Sequence, residues 1–178
     1  MLIRSKIAVG LAAALSVSAV GGVAFAATQG TLGSTSTGTS SLSATVTSLV
    51  QITNVADITL TAATAADPLA GNDSVCVYSN ASGNLYEVTA SSANGSGSFV
   101  LSDGSNTMAY TVNWTDSASS QVALTEGAQT TSNLAGSAST SCADTKTSSV
   151  ALSVPAATWT TSPAGTYTDT LTLVVAPN

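Results

Sequence analysis

The chain has 178 residues, of which 44% are hydrophobic, 7% charged and 4% aromatic, and its formal net charge is −6. Disordered chains are usually rich in charge and poor in apolar side chains, so this composition favours an ordered protein. The chain has no His and only two Cys. This excludes acid–base catalysis by histidine and any zinc site built from several cysteines, and we expect no cofactor.

Residues 1–26 are organised like a secretory signal peptide. Arg4 and Lys6 precede an apolar run at residues 7–20, and the sequence Ala-Phe-Ala at 24–26 has small residues where a signal peptidase cleaves. A membrane-spanning helix needs about 20 apolar residues, but Gly21 and Gly22 end this run. We therefore predict export and cleavage after residue 26.

Cleavage would leave one basic side chain, Lys146, against nine acidic ones. Such a surface cannot neutralise phosphates, so binding to nucleic acid or to anionic lipid is disfavoured. No second segment of the sequence is apolar enough to span a bilayer. We therefore predict one exported domain with no nucleic-acid partner and no transmembrane segment in the mature chain.

Residues 27–41 form a distinct segment that is rich in Gly, Ser and Thr and carries no charge. This composition is typical of a flexible tail or linker. The alternative is an extension that becomes a β-strand only when it meets a partner. The predicted organisation is thus a signal peptide at 1–26, an extension at 27–41 and a domain at 42–178.

Residues 42–178 predict an all-β fold, because their apolar side chains alternate in short runs and show no helical periodicity. In the first predicted strand, 42–52, Leu42, Ala44 and Val46 share one face. Asp103-Gly104 is a turn sequence that predicts a hairpin, and Trp114 is predicted in the core. Nine further strands are predicted at 58–63, 75–78, 85–90, 98–102, 108–115, 121–124, 139–142, 148–154 and 166–175. Many short strands at this spacing indicate a sandwich.

Cys76 and Cys142 are the only cysteines. An exported protein folds in an oxidising compartment, and an even number of cysteines there favours a structural disulfide. The alternative, a reactive thiol, lacks a His partner, and Lys146 is the only cation near it in sequence. We therefore predict a Cys76–Cys142 bond.

The C-terminal sequence PAGTYTDTLTLVV at 163–175 resembles the ending of chaperone-usher pilus subunits, particularly the spore coat protein U-like, archaic type. Gly165, Tyr167 and Asp169 belong to the AGTYTDT signature, and Gly165 is the fourteenth residue from the C-terminus. The sequences CVY at 76–78 and MAYTV at 108–112 resemble other strands of that family. The resemblance covers most of the mature chain.

This resemblance implies an immunoglobulin-like β-sandwich that lacks its final strand and is finished by a donated one. A periplasmic chaperone would lend a strand during transport, and a neighbouring pilin subunit would replace it at an outer-membrane usher. The chain would be exported to the periplasm and then form part of a surface fibre, a fimbrium. The acceptor groove would be lined by Leu42, Ala44, Val46, Leu171, Leu173 and Val175. The donor would be 27–41, through Leu32, Thr35, Thr37 and Thr39.

Other interpretations remain open at this point. A self-complete secreted sandwich could bind a surface ligand such as carbohydrate. Asp67, Asn72 and Asp73 could hold calcium, although an ordinary polar turn explains them equally well. The carboxylates are scattered along the chain and no serine has a plausible base, so we expect no enzymatic activity.

Overall fold

The computed structural model describes residues 27–178, and the predicted signal peptide at 1–26 lies outside them. The chain divides into two units at the junction of Thr45 and Val46. In the first unit, Thr28 and Thr39 form an isolated antiparallel bridge, in which each N–H donates to the other's carbonyl over 3.1 Å. Residues 27–49 are all exposed. The predicted donor segment is therefore folded back on itself.

The second unit is an antiparallel β-structure. Within the described residues its strands are β1 (Val50–Thr53), β2 (Leu69–Ser79), β3 (Leu85–Ser92), β4 (Val100–Ser102), β5 (Thr107–Ala109), β6 (Thr111–Thr115), β7 (Gln121–Ala123), β8 (Leu134–Ala135), β9 (Ser148–Val154) and β10 (Leu171–Pro177). One short helix, α1 (Ala156–Trp159), follows β9.

Two sheets face each other across the core. The larger has the strand order β1-β2-β9-β6-β7, and the smaller has the order β10-β3-β8. Strands β4 and β5 form a separate hairpin, and the chain passes directly from β5 into β6 of the larger sheet. The predicted all-β sandwich is confirmed.

The best-buried part of the core joins the two sheets through a polar contact between aromatic side chains. Trp114 on β6 and Tyr86 on β3 are fully buried and pack edge to face, with ring centroids 6.3 Å apart. The Trp114 indole N–H donates to the Tyr86 hydroxyl over 2.8 Å, and the Ser148 hydroxyl on β9 lies 2.9 Å from the same oxygen. Burial raises the pKa of Tyr86 to about 12. The predicted core position of Trp114 is confirmed.

The Cys76–Cys142 disulfide is present. It ties β2 to the loop between β8 and β9 and closes a loop with a sequence separation of 66 residues. Cys142 has a positive φ of 49°, which lies in the left-handed region that few residues other than Gly adopt.

The predicted first strand, 42–52, is largely wrong. Only Val50–Thr53 pairs with β2, because the Asn80 side chain takes the backbone groups just before it. Its amide donates to the Thr47 carbonyl over 2.9 Å, and its oxygen accepts the Leu49 N–H at 2.5 Å. The chain therefore leaves the sheet at Leu49 instead of continuing the strand.

Other strand predictions differ less. The prediction at 148–154 matches β9, while 58–63 is reduced to one bridge between Thr61 and Ala70. The predicted strand at 139–142 is a turn, and the two-residue β8 was missed.

Candidate functional site

An open groove of about 950 Å³ enters the second unit between its two sheets. One part of its lining is the segment 55–60, which follows β1 at the edge of the larger sheet. Another part is Leu171 and Leu173 on β10, at the edge of the smaller sheet. The groove is therefore the gap that remains where the two sheet edges do not meet.

The segment 55–60 lies beside β2 without joining its ladder. The Asp73 carboxylate of β2 accepts the Ala56 N–H over 2.7 Å in place of a backbone carbonyl. Regular pairing returns only at Thr61. A Cβ built on Gly71 of β2 would lie 2.7 Å from the Thr59 carbonyl and 2.8 Å from Ile58. Gly71 therefore allows this segment to cross closely over β2.

Strand β10 has a free edge. It pairs with β3. At its two ends the Thr170 carbonyl accepts the Ala93 N–H, and the Asn178 N–H donates to the Leu85 carbonyl. Backbone groups alternate in direction along an antiparallel strand, so the even-numbered residues face β3 and the odd-numbered residues face outward. In the part of the chain that the structure describes, the outward N–H and C=O groups of Leu171, Leu173 and Val175 have no backbone partner. This row of groups can pair with another strand.

The floor of the groove is apolar. Leu101, Met108 and Tyr110 come from the β4–β5 hairpin and its end, and Val150 and Leu152 come from β9. Four of these side chains are buried and Leu101 is half-buried. The Trp159 ring of α1 also lines the groove, and its indole N–H donates to the Asp67 carbonyl over 2.9 Å.

Asp169 ties the chain before β10 to the rest of the groove. Its carboxylate accepts the Tyr110 hydroxyl over 2.6 Å, the Ser92 hydroxyl over 2.7 Å and the Asn94 N–H over 3.1 Å. Burial raises the pKa of Asp169, but these hydrogen bonds outweigh it and hold the pKa below the usual value of 3.8. Burial and the Asp169 charge raise the pKa of Tyr110.

The other residues of the predicted C-terminal motif also lie at the groove. Gly165 and Tyr167 line it, and the Tyr167 hydroxyl donates to the Pro163 carbonyl over 3.0 Å. A Cβ on Gly165 would lie 3.2 Å from the Asp103 carboxylate. The signature thus builds the approach to the free edge of β10.

The predicted lining residues divide into two groups. Leu171 and Leu173 line the groove, and Val175 is half-buried against the core. Leu42, Ala44 and Val46 form no such wall, because they belong to no strand and their side chains are exposed. The residues that take their place, 55–60, were not predicted as groove wall, although the alternation of Ile58 and Leu60 was a usable signal.

The predicted donor residues lie in the first unit. Thr39 is bridged to Thr28, and the two hydroxyl oxygens are 2.6 Å apart. Leu32, Thr35 and Thr37 lie between the bridged residues and are exposed. In this arrangement the segment buries no apolar side chain.

The conceivable calcium ligands have structural partners. Asp67 accepts the Thr64 N–H over 3.0 Å and the Thr64 hydroxyl over 2.8 Å, whereas Asp73 holds Ala56. Among residues 27–178 no three His, Cys, Asp or Glu side chains are grouped closely enough to share a metal ion. Over the same residues no helix has the length and hydrophobicity needed to cross a membrane.

No protein-family model and no curated protein matches the chain. Among solved structures, the fold is similar to a chain from a chaperone–tip adhesin complex described as vital for synergistic activation of CFA/I fimbriae biogenesis. The TM-score is 0.53 and the sequences are 21% identical, over 72% of this chain and 41% of that chain. This similarity shows a shared fold, and the present chain spans less than half of its neighbour's length.

Proposed function

We propose that the chain is a structural subunit of a bacterial surface fibre, assembled by insertion of a β-strand from another polypeptide into the groove. The observation that carries the proposal is the free edge of β10 beside an apolar floor. A strand placed there would pair with the outward backbone groups of Leu171, Leu173 and Val175. Its alternate side chains would cover Met108 and Leu152. Backbone pairing supplies affinity and side-chain pockets supply register in this mode of binding.

The proposal includes the route by which the subunit is made. An unpaired apolar edge promotes aggregation, so a periplasmic chaperone would cover it after export, and an outer-membrane usher would pass it to the next subunit. The resemblance of the C-terminal sequence to spore coat protein U-like pilins supports this route and that subtype. The fold shared with a chain of a fimbrial complex agrees with the fold that the route needs. The proposal assigns the chain no catalytic role.

Carbohydrate binding is less well supported by the same groove. Apart from Tyr110 its floor is made of non-aromatic side chains, and the indole N–H of Trp159 is already bonded to the Asp67 carbonyl. The Asp169 carboxylate likewise already accepts hydrogen bonds from Tyr110, Ser92 and Asn94, so these groups are not free to bind a sugar.

The test compares two adjacent residues of β10. Leu173 lines the groove, whereas Val174 points away from it and is 56% exposed. We expect Leu173→Asp to abolish the ladder of multimers seen on SDS gels without heating, and Val174→Asp to leave it within about twofold. Leu173→Ala should keep the fold, because the side chain is half-buried, and should reduce the ladder at least severalfold.

Circular dichroism spectra of the three variants separate loss of assembly from loss of fold. A ladder unaffected by both Leu173 substitutions would contradict the proposal, as would equal loss with Val174→Asp in a folded protein.

A further inference from the structure

We infer that residues 55–60, the strap, can swing from β2 onto the free edge of β10 and close the groove from within the same chain. The closed strap would occupy the row of backbone groups that a strand from another polypeptide needs. It would therefore act as an autoinhibitory contact on assembly. Closure of the strap can be tested on the monomer alone, whereas its effect on assembly rests on the proposed function.

The strap is held to β2 by few contacts. Among the described residues, its only backbone group with a hydrogen-bond partner is the Ala56 N–H, which donates to the Asp73 carboxylate over 2.7 Å. Ile58 and Leu60 are half-buried, and the other four strap residues are exposed. A segment with few buried apolar contacts and few backbone hydrogen bonds is one that opens locally at low cost.

Both ends of the strap are fixed, but the chain between them is two residues longer than the strand it crosses. Thr53 is paired with Cys76, and Thr61 is bridged to Ala70. Eight peptide steps separate Thr53 from Thr61, whereas six separate Ala70 from Cys76. Seven residues therefore cross a stretch that five residues of β2 span, which leaves two residues of slack.

The slack is enough for the strap to reach β10. Eight extended peptide steps span at most about 28 Å, whereas six steps of a β-strand span about 20 Å. The middle of such a segment can move about 10 Å sideways, which is about two spacings between neighbouring strands. The strap and β10 line the same groove, and β1, which leads into the strap, already lies against β10. The strap can therefore reach β10 without releasing either of its ends.

The strap and β10 each have unpaired backbone groups that the other could satisfy. The outward groups of Leu171, Leu173 and Val175 have no backbone partner among the described residues, and most backbone groups of the strap have none either. Ile58 and Leu60 repeat at the two-residue spacing of a strand, so on β10 both side chains would face the apolar floor. This pairing would satisfy both rows and exclude a second strand from the same edge.

Two residues of β2 favour the open arrangement that the structure shows. Gly71 and Asp73 alternate with the inward-facing Leu69 and Val75, at positions where apolar side chains are usual. Gly71 makes room for the strap, because a Cβ there would lie 2.7 Å from the Thr59 carbonyl. Asp73 accepts the strap's hydrogen bond. Changing either residue should therefore shift the strap toward β10.

The experiment measures hydrogen exchange of the Leu171 and Leu173 amides by NMR in the folded, monomeric mature chain. Asp73→Ala removes the bond that holds the strap on β2. Asp57→Ala, on the strap itself, is the matched control because it also removes one carboxylate from the groove lining. We expect both amides to exchange at least tenfold more slowly in Asp73→Ala and to change by less than twofold in Asp57→Ala.

A second variant keeps the test independent of the Asp73 substitution. Gly71→Ala places a Cβ against the strap and should also slow exchange at Leu171 and Leu173. Unchanged exchange in folded Asp73→Ala and Gly71→Ala chains would overturn the inference.

A shortened strap tests whether the strap itself covers β10. Deleting Val55 and Ala56 from the Asp73→Ala chain removes the two residues of slack. Exchange at Leu171 and Leu173 should then return to within twofold of the parent. Slow exchange that persists in the folded, shortened chain would show that another segment covers β10, and would overturn the assignment to the strap.

Assembly measurements separate this inference from the function on which its consequence rests. If strand insertion forms the fibre, Asp73→Ala should slow growth of the multimer ladder at least severalfold, and the shortened strap should restore the parent rate. A parent rate in Asp73→Ala despite slow exchange would overturn autoinhibition. If the ladder persists in Leu173→Asp, the proposed function fails, while the exchange measurements still decide whether the strap closes.

Discussion

The two ends of the sandwich are built on different principles. At the end near Tyr86, Trp114 and Ser148 complete a fully buried, hydrogen-bonded contact between the sheets, and the disulfide reinforces β2 nearby. At the end near Leu171, the sheets separate, the Leu171 and Leu173 side chains of β10 are only half-buried, and the outward backbone groups of β10 are unpaired among the described residues. We therefore expect the closed end to contribute most to the stability of the domain and, under the proposed function, the open end to determine what the domain binds.

The largest effect should come from removing the aromatic contact at the closed end. Trp114→Ala should lower the free energy of unfolding by about 3–5 kcal/mol, because it leaves a cavity and takes away the N–H donor of Tyr86. Trp159→Ala, at the open end, should cost less than half as much since that ring is half-buried. Urea unfolding followed by circular dichroism measures both, and equal losses would contradict the division between the two ends.

Removing the disulfide should have the next largest effect. Cys76→Ser with Cys142→Ser frees a loop with a sequence separation of 66 residues, and the chain-entropy model gives a loss of about 4 kcal/mol. Unfolding in guanidinium chloride would measure the loss. If the reinforcement acts only at the closed end, the folded variant should still form multimers when subunits are supplied in excess.

Asp169 acts at the open end, where it holds the chain before β10 to Tyr110 and Ser92. Asp169→Asn should cost about 1–3 kcal/mol at pH 7, since it replaces a charged acceptor of three hydrogen bonds. The exposed Asp57→Asn serves as the control and should cost less than about 0.5 kcal/mol.

The same carboxylate predicts a pH dependence. Its pKa is lower in the folded protein than the usual 3.8, so its contribution to stability is present above that value and is lost as the pH falls through the folded pKa. Melting temperatures between pH 2 and 6 should therefore converge for the parent and Asp169→Asn at the acid end. A constant difference across this range would show that the charge is not what stabilises the contact.

The smallest effect on stability is expected at the groove, where assembly should be affected much more than the stability of the monomer. Leu173→Ala should lower the free energy of unfolding of the isolated monomer by only about 1 kcal/mol, because the side chain is half-buried before assembly. The multimer ladder should nevertheless fall severalfold. Thermal melts of the monomer beside unheated gels would show this split, and parallel losses in both would indicate that Leu173 belongs to the core of the monomer.

Local patterns predicted much of the fold. The strict alternation of Val150, Leu152 and Val154 predicts β9, because these side chains are buried on one face of the strand while the residues between them are half-buried on the other. The Asp103-Gly104 turn and the core position of Trp114 follow equally directly. Because the chain is predicted to be exported and has only two cysteines, one disulfide pairing was predicted.

The site was harder to predict because it depends on contacts between distant residues. Leu42, Ala44 and Val46 alternate as well as any strand, but the Asn80 side chain, 33 residues after Thr47, ends their pairing. The segment 55–60 becomes groove wall only because Asp73 holds Ala56. Leu171 and Leu173 were predicted because the C-terminal sequence resembles a known family, whereas their unpaired edge follows from the sheet order.

The Asn80 contact also has a mechanical consequence. In a fibre joined through the chain that precedes Thr47, tension applied along the fibre would enter each subunit at Thr47 and Leu49 and leave it through the strand seated against β10. Three hydrogen bonds join Asn80 to these two residues, because its own N–H also donates to the Leu49 carbonyl over 3.1 Å. The load would then pass into β1 and β2. Asn80 lies four residues after Cys76, which carries the disulfide. The subunit would thus carry the load through the hydrogen bonds of Asn80, and the covalent Cys76–Cys142 disulfide would reinforce the strand that receives it.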